Sequence, residues 1–477
     1  LEIKTDEAWS KALESWNYPS IPNLIAPRTK EEIEDLGEVA PALRDEFAFM
    51  RYPEFQTYAN IENIVNAFQE NPQRGLEAVS VHEAGHRFCP YDTITMIILR
   101  HAVKKELEAQ KPPYNPEIAT NLVLNLFTDM CINTKLARSN NQDITWAYQQ
   151  LSKDKKDSKL WRVYAKSMEL AWKKDILPED AELHDEESQA AQKLADLFEK
   201  DFFSRDKWRE NIRSDTRIIS KFLENEKKDG KSLLDNISGN IPKTLDEKTA
   251  SELAKRLAEI GSDGLPSKPS ALKEFQEIMA GFGQGDPIKA SIAFYDMLSN
   301  SYDVRFAERP FGRPRINPFQ PVKWTPSMGI ERLDVDYSAQ VGGRIIPGVN
   351  TYAWNTRKRE THGGFEEVVP DLDLYLDSSE SMPNPINQIS LPVLASFVVA
   401  KKAHRKGASI RATNFSGEGQ FETQESTRDI NKVLENLVIY FGGGTVFPEN
   451  ALPYAQDPKQ LLIVTDTFIG NKEATAQ

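Results

Sequence analysis

Read as a pattern of apolar and polar positions, residues 1–138 are mostly helical, punctuated by Pro and Asn. Asn71-Pro72 pairs a capping side chain with a proline suited to the first helical position, and Pro90 sets a stop, so a helix is expected over about 72–88. Asn115-Pro116 repeats the signal and opens a helix running to about Arg138. Between them Thr93–Gln110 reads as a third helix, closed by Pro112-Pro113.

Residues 141–301 are highly charged, with helical stretches at Glu186–Asp201, Arg205–Lys228 and Lys248–Ile260 separated by Gly/Ser/Pro clusters, and read as a helical insert. Prolines at 310, 314, 318, 321 and 326 then mark an irregular, β-rich connector over 302–370. From Leu372 the texture alternates. Strands are expected at Leu372–Leu376, Ser409–Asn414, Val438–Phe441 and Leu461–Thr465, with helices at Ser390–Arg405, Thr427–Leu437 and Pro448–Tyr454 between them. Strands joined by helical crossovers run parallel, so residues 371–477 predict an α/β unit. The fold class is multidomain α + α/β: a helical N-terminal domain (1–140), the insert, the connector and a C-terminal three-layer α/β domain.

Composition narrows the function classes. Hydrophobic residues make up 39% and charged residues 27% of 477, the signature of globular protein. The longest apolar runs, near Met96–Leu99 and Leu391–Ala400, are too short for a membrane span. With 59 basic and 72 acidic residues the formal charge is −13, which argues against nucleic acid as a partner. The basic run Lys401–Lys406 reads as a solvated helix end. Two cysteines, Cys89 and Cys131, are too few for a disulfide framework, and a reducing cytoplasm is the simplest compartment.

Against this background one pentad stands out, His82-Glu83-Ala84-Gly85-His86. On a helix, His82 and His86 project from one face and can hold a single Zn²⁺, while Glu83 reaches the water that the metal activates and acts as general base. A catalytic zinc wants a third protein ligand. In Ile118–Leu136 the polar stripe Asn121, Asn125, Asp129, Asn133 contains one carboxylate, so Asp129 is the expected ligand, with Asn125 or Asn133 behind it. Cys89, His101 and Asp92 are rival ligands. The pentad with Asn125-x-x-x-Asp129-x-x-x-Asn133 some forty residues later resembles the HExxH metallopeptidase-like domain found ahead of von Willebrand A-like domains in prokaryotes. That resemblance covers about residues 60–140 and implies a zincin-type site with Asp129 as the family's Asp.

A second constellation follows the first α/β strand. Asp377-x-Ser379-x-Ser381 sits at its carboxyl end, where ligands gather in open parallel sheets, and offers oxygen ligands suited to Mg²⁺. Thr445, after Gly442–Gly444, and Asp466, at the end of a later strand, extend the set. The three segments resemble the metal-ion-dependent adhesion site of the von Willebrand A fold. The resemblance implies Ser379, Ser381 and Thr445 as direct or near-direct ligands, Asp377 and Asp466 acting through water, and a protein partner or peptide substrate whose carboxylate completes the shell. The family commonly has Gly where this chain has Thr467, and its fold continues for another strand and one or two helices beyond the position of Gln477.

Two functions fit. One is a zinc-dependent hydrolase, a metallopeptidase in which the C-terminal domain recruits substrate or partner. The other is a non-catalytic adaptor with a structural or vestigial zinc site, working with a MoxR-type AAA+ ATPase as the resemblance implies. The chain itself has no phosphate-binding Gly-x-x-x-x-Gly-Lys-Ser/Thr. Glu83 favours the hydrolase, because a structural zinc site has no need of a base beside its first ligand.

Overall fold

Asn71 accepts a hydrogen bond from the Arg74 backbone N–H at 3.1 Å and Pro72 comes next, so the motif helix begins where the capping signal places it. It runs Pro72–Gly85 and ends sooner than expected: His86 is its C-cap, and Arg87–Pro90 turn away. Asn115 caps the next polar-striped helix in the same way, Pro116–Arg138, by accepting from Glu117 N–H. Asp92 caps Thr93–Ala109 by accepting from Thr95 N–H at 2.7 Å. The computed structural model describes all of the chain except residues 1–2, 52–53, 91, 112–114, 156, 200–201, 226–244, 260–264, 307, 311–314, 360–364, 368, 453–459, 467–469 and 471–477.

Two units divide the chain, 1–253 with 281–283, and 254–280 with 284–477. In the first, one hydrophobic core extends from Trp9 to Leu223 and so crosses the boundary expected at residue 140. Helices Gln142–Lys155, Lys159–Trp172 and Arg205–Ile219 pack with the motif-bearing helices, and Asp185–Leu197 packs on the last two. Two of their buried polar contacts tie that core together. Arg162 and Glu187 form a bidentate ion pair (2.6 and 3.1 Å), and Tyr164 donates to the Leu126 carbonyl at 3.1 Å. A small antiparallel ribbon, Ala48–Arg51 with Gln56–Ala59, lies against the motif helix.

Gly85 is what allows the motif helix to sit so close to the Asp129 helix. A Cβ there would meet Ile132 Cγ2 at 2.5 Å and Trp16 Cζ2 at 2.8 Å, both on buried side chains. Trp16 cannot swing aside freely, because its indole N–H donates to the Val81 carbonyl at 2.8 Å. Gly85→Ala is therefore expected to lose about 1–3 kcal/mol of stability through overpacking, read from its urea midpoint against wild type.

The second unit holds a mixed four-stranded sheet in the order Phe421–Thr427, Ile410–Phe415, Leu372–Asp377, Gln460–Val464. The three last-named strands are parallel, while Phe421–Thr427 returns as an antiparallel hairpin partner that was not expected. Leu374, Leu376 and Ala412 alternate with Tyr375, Thr413 and Phe415 along the ladder, so the two sets face opposite sides. Helices Leu391–Arg405 and Ile430–Leu437 pack on the sheet, while Phe447 and Ala451 cover Tyr375 and Phe415.

The expected strand Val438–Phe441 is absent. Buried Asn414 donates to the Asn436 and Ile439 carbonyls (3.2 and 2.7 Å), which turns the end of helix Ile430–Leu437 into a loop. The expected helix at 448–454 is a short 3₁₀ turn, Glu449–Ala451, and residues from 453 lie outside the described set. The connector is β-rich: Arg315–Lys323 pairs antiparallel with Tyr352–Arg359, which also pairs with Leu333–Asp334. The basic run on helix Leu391–Arg405 is engaged locally, Lys401 with Asp296, Lys402 with Asp303 and Arg405 with Asn300. No described helix is long and apolar enough to cross a membrane.

Candidate metal centre

One helical turn separates His82 from His86, and their rings meet edge-to-face with centroids 5.0 Å apart. The Pro116–Arg138 helix crosses beneath them and delivers Asp129. Its Oδ1 lies 3.5 Å from His82 Nε2 and 3.5 Å from His86 Nε2. One ligand atom from each of these three residues lies within 4.8 Å of the others.

The far side of each imidazole is pinned. His86 Nδ1–H donates to the Cys89 carbonyl (3.2 Å), and His82 Nδ1–H donates to Asn133 Oδ1 (2.8 Å). Asn133 is oriented in turn by donating from Nδ2 to the Tyr148 hydroxyl at 2.7 Å. Asn125 Nδ2 approaches Asp129 Oδ2 at 3.4 Å. Both Nε2 atoms are therefore the ones left to face Asp129, the arrangement found when metal-bound histidines are held by outer hydrogen bonds.

The electrostatics of the metal-free site are unbalanced. Asp129 is 5% exposed, and its Oδ1 has no hydrogen-bond partner; Glu83, 6% exposed, has the same deficit at Oε2. A buried carboxylate oxygen left 3.5 Å from two imidazole nitrogens is costly unless a cation or proton joins them. Burial lowers the His82 imidazolium, but the Asp129 carboxylate outweighs it and holds His82 up at about 9. Burial and then the His82 charge push His86 down to about 4. Burial raises Glu83 to about 8, with Asp129 and Glu46 adding to the rise and His82 opposing it.

These shifts carry a sign. Above its ordinary 6.5, His82 keeps a proton that the unfolded chain releases, and above its ordinary 4.5, Glu83 does the same, so each loses stability as pH rises toward about 9 and 8. His86 works oppositely, losing stability as pH falls from 6.5 toward about 4. The contributions of His86 and Glu83 offset between pH 4.5 and 6.5, and those of His82 and Glu83 add between 6.5 and 8. The thermal midpoint of metal-free protein is expected to fall across that upper window, and zinc is expected to flatten the fall by replacing the protons. A midpoint that rises with pH there in metal-free protein contradicts the assignment.

The rival ligands are elsewhere engaged. Asp92 is a helix cap, Cys89 reaches the site through its carbonyl, and His101 is not part of the three-residue cluster. Burial, first, and the neighbouring Cys89 hold the Cys131 thiol well above its ordinary pKa. Tyr148 and Glu46 were not anticipated, and neither sits in a pattern that sequence spacing could have marked.

The second constellation is in the other unit. Asp377, 2% exposed, ends the Leu372–Asp377 strand; its Oδ1 accepts from Ser379 N–H and its Oδ2 from the Thr465 hydroxyl, both at 2.8 Å. Ser379 and Ser381 hydroxyls lie 3.1 Å apart. The glycine loop is tied to the same turn, Gly442 N–H to the Ser378 carbonyl (2.9 Å) and Glu380 N–H to the Gly443 carbonyl (2.8 Å). Thr445 follows that loop, and its carbonyl accepts from Gly470 N–H at 2.7 Å. The parallel register pairs Val464 with Leu376, so Asp466 emerges beside the Asp377 turn. Thr465 was missed, and Thr467 lies outside the described residues. Oxygen donors of this kind fit a hard cation.

Compared with family models, with curated proteins and with solved structures, the chain matches none.

Proposed function

We propose that this chain is a zinc-dependent hydrolase acting on peptide bonds. One observation carries the reading: a buried Asp129 oxygen without a hydrogen-bond partner stands 3.5 Å from each of two histidine nitrogens whose opposite sides are already pinned. His82, His86 and Asp129 would hold the cation, a set with nitrogen and oxygen donors that suits zinc and leaves a position for substrate. Zinc, when bound, supplies Lewis acidity that polarises a carbonyl and lowers the pKa of water.

The rest is done by side chains. Glu83 is buried next to the ligands without being one of them, and its Oε2 is directed to no protein donor. Beside a cation its carboxyl ionises, takes a proton from the attacking water as the oxygen bonds to the carbonyl carbon, and passes it to the departing nitrogen as the C–N bond breaks. Asn133 and Tyr148 hold His82, and the Cys89 carbonyl holds His86, so the ligands keep their aim. Ala48, Phe49 and Met50 of the ribbon, with Phe47 just before it, border the same cavity, a surface along which an extended peptide can lie.

The second unit supports recruitment. The Asp377, Ser379, Ser381, Thr445 and Asp466 segments at the carboxyl ends of a parallel sheet fit a von Willebrand A-like site for Mg²⁺ that captures a partner's carboxylate. That feature equally serves an adaptor partnered with a MoxR-type AAA+ ATPase, the competing reading. The test is digestion of unstructured β-casein by the zinc-loaded protein, with cut sites mapped by mass spectrometry. Chelator-sensitive cleavage is expected; intact casein at full zinc occupancy would leave the adaptor.

A further inference from the structure

We infer that the cavity beside the three ligands is a subsite for one branched aliphatic side chain of the substrate, of leucine, isoleucine or methionine size. The inference rests on the hydrolase reading and names the residue that the site prefers next to the bond it cuts. Two helix faces build the cavity. On the motif helix, Ala78 and Val79 precede His82 by four and three residues and so share its face. On Gln142–Lys155, the residues Ile144, Ala147, Tyr148 and Leu151 recur at helical spacing and line the opposite wall, and Phe68 and Trp161 close it.

The space exists because Ala78 and Ala147, 0% and 4% exposed, are small where the two helices approach. Any longer side chain at either position would occupy it. The whole cavity, including the space beside His82, Glu83, His86 and Asp129, measures about 120 Å³. An apolar cavity of roughly 150 Å³ takes benzene, so this one suits a branched aliphatic group better than an aromatic side chain.

Three charged residues of the wall lie outside the three-residue metal cluster among the described residues: Glu83, which sits beside the ligands, and Glu46 and Lys155, both of which have partners within the protein. The Lys155 ammonium lies 4.3 Å from the Trp161 ring centroid, so it covers an aromatic face. Apart from these groups, the ligands and Asn125, the lining is aliphatic or aromatic, so the surface left for a substrate side chain is apolar.

The experiment uses hydroxamates, which chelate zinc through one end and carry a chosen tail at the other. Titration calorimetry on the zinc-loaded protein would compare acetohydroxamate, 4-methylpentanohydroxamate and 2-naphthohydroxamate. Each buried methylene is worth about fourfold, so the branched tail is expected to bind at least tenfold tighter than acetohydroxamate, and the naphthyl tail to gain less. Ala147→Leu is expected to reduce the branched-tail gain below threefold while leaving acetohydroxamate affinity and zinc content unchanged. Ala78→Val narrows the space from the other helix and serves if the first variant does not fold. A gain of under twofold in wild type, or one that survives both substitutions, overturns the subsite.

Failure of the hydrolase reading looks different. Zinc would not be retained, or β-casein would stay whole while the tail dependence persisted. If zinc is not retained, isobutane binding to the metal-free protein, followed by NMR, decides. Binding that Ala147→Leu abolishes upholds an apolar subsite, and no binding overturns it.

Discussion

Asp129→Ala is expected to lose zinc on dialysis where wild type is expected to keep about one per chain, the largest effect expected from any single substitution here. The carboxylate is the only anionic ligand of the three and stands equidistant from both Nε2 atoms. Removing an outer partner of a metal ligand costs roughly 10–100-fold in affinity, and removing the ligand itself should cost more. Mass spectrometry of metal content and competition with a chelator would measure it. Asp129→Asn keeps the shape and removes the charge, so it should fall between alanine and wild type. The metal-free protein carries its own signature: without the carboxylate, His82 loses the interaction that holds it at about 9, and the pH-dependent fall in stability above 6.5 should shrink. Wild-type zinc retention in Asp129→Ala would return the third-ligand role to another residue.

Glu83→Gln is expected to keep zinc and lower cleavage by about 10²–10⁴-fold, the range typical of removing a general base. Glutamine preserves volume and hydrogen bonding, and Glu83 is not among the three clustered ligands, so zinc content should match wild type. The same substitution should stabilise the metal-free protein at high pH. Burial holds Glu83 near 8 against an ordinary 4.5, so it costs the fold stability progressively as pH rises from 4.5 to 8 and in full above that, a cost that glutamine does not carry. Lower activity with higher stability is the combination to look for in parallel cleavage and thermal-unfolding measurements. Equal loss of zinc and cleavage would make Glu83 a ligand rather than a base.

The polar stripe on Pro116–Arg138 shows how far spacing alone can be read. Placing Asn125, Asp129 and Asn133 in register was enough to select Asp129, because buried polar groups on an apolar helix need partners. Their division of labour was not legible: Asn133 meets His82, Asn125 meets Asp129, and Asn121, two turns away from Asp129, accepts from Arg100 instead. Strand Phe421–Thr427 escaped notice because its sequence, Phe-Glu-Thr-Gln-Glu-Ser-Thr, lacks apolar alternation, as suits an exposed edge. The apolar run at Val438–Phe441 misled for the opposite reason: apolarity signals burial, and a loop held by Asn414 can supply burial as well as a strand can.

By itself, then, the sequence determined what lies within a few turns of one element. Helix caps at Asn71 and Asn115, the shared face of His82 and His86, and the Asp377-x-Ser379-x-Ser381 turn are local, because backbone periodicity carries residue spacing directly into geometry. Tertiary structure decided everything that depends on which elements touch. It brought Asp129 against the two histidines, placed Tyr148 behind Asn133 and Thr465 beside Asp377, and left a cavity where two alanines face it. Alanine is silent in a sequence and becomes informative only when its neighbours are known, since a cavity is defined by the side chains that surround it.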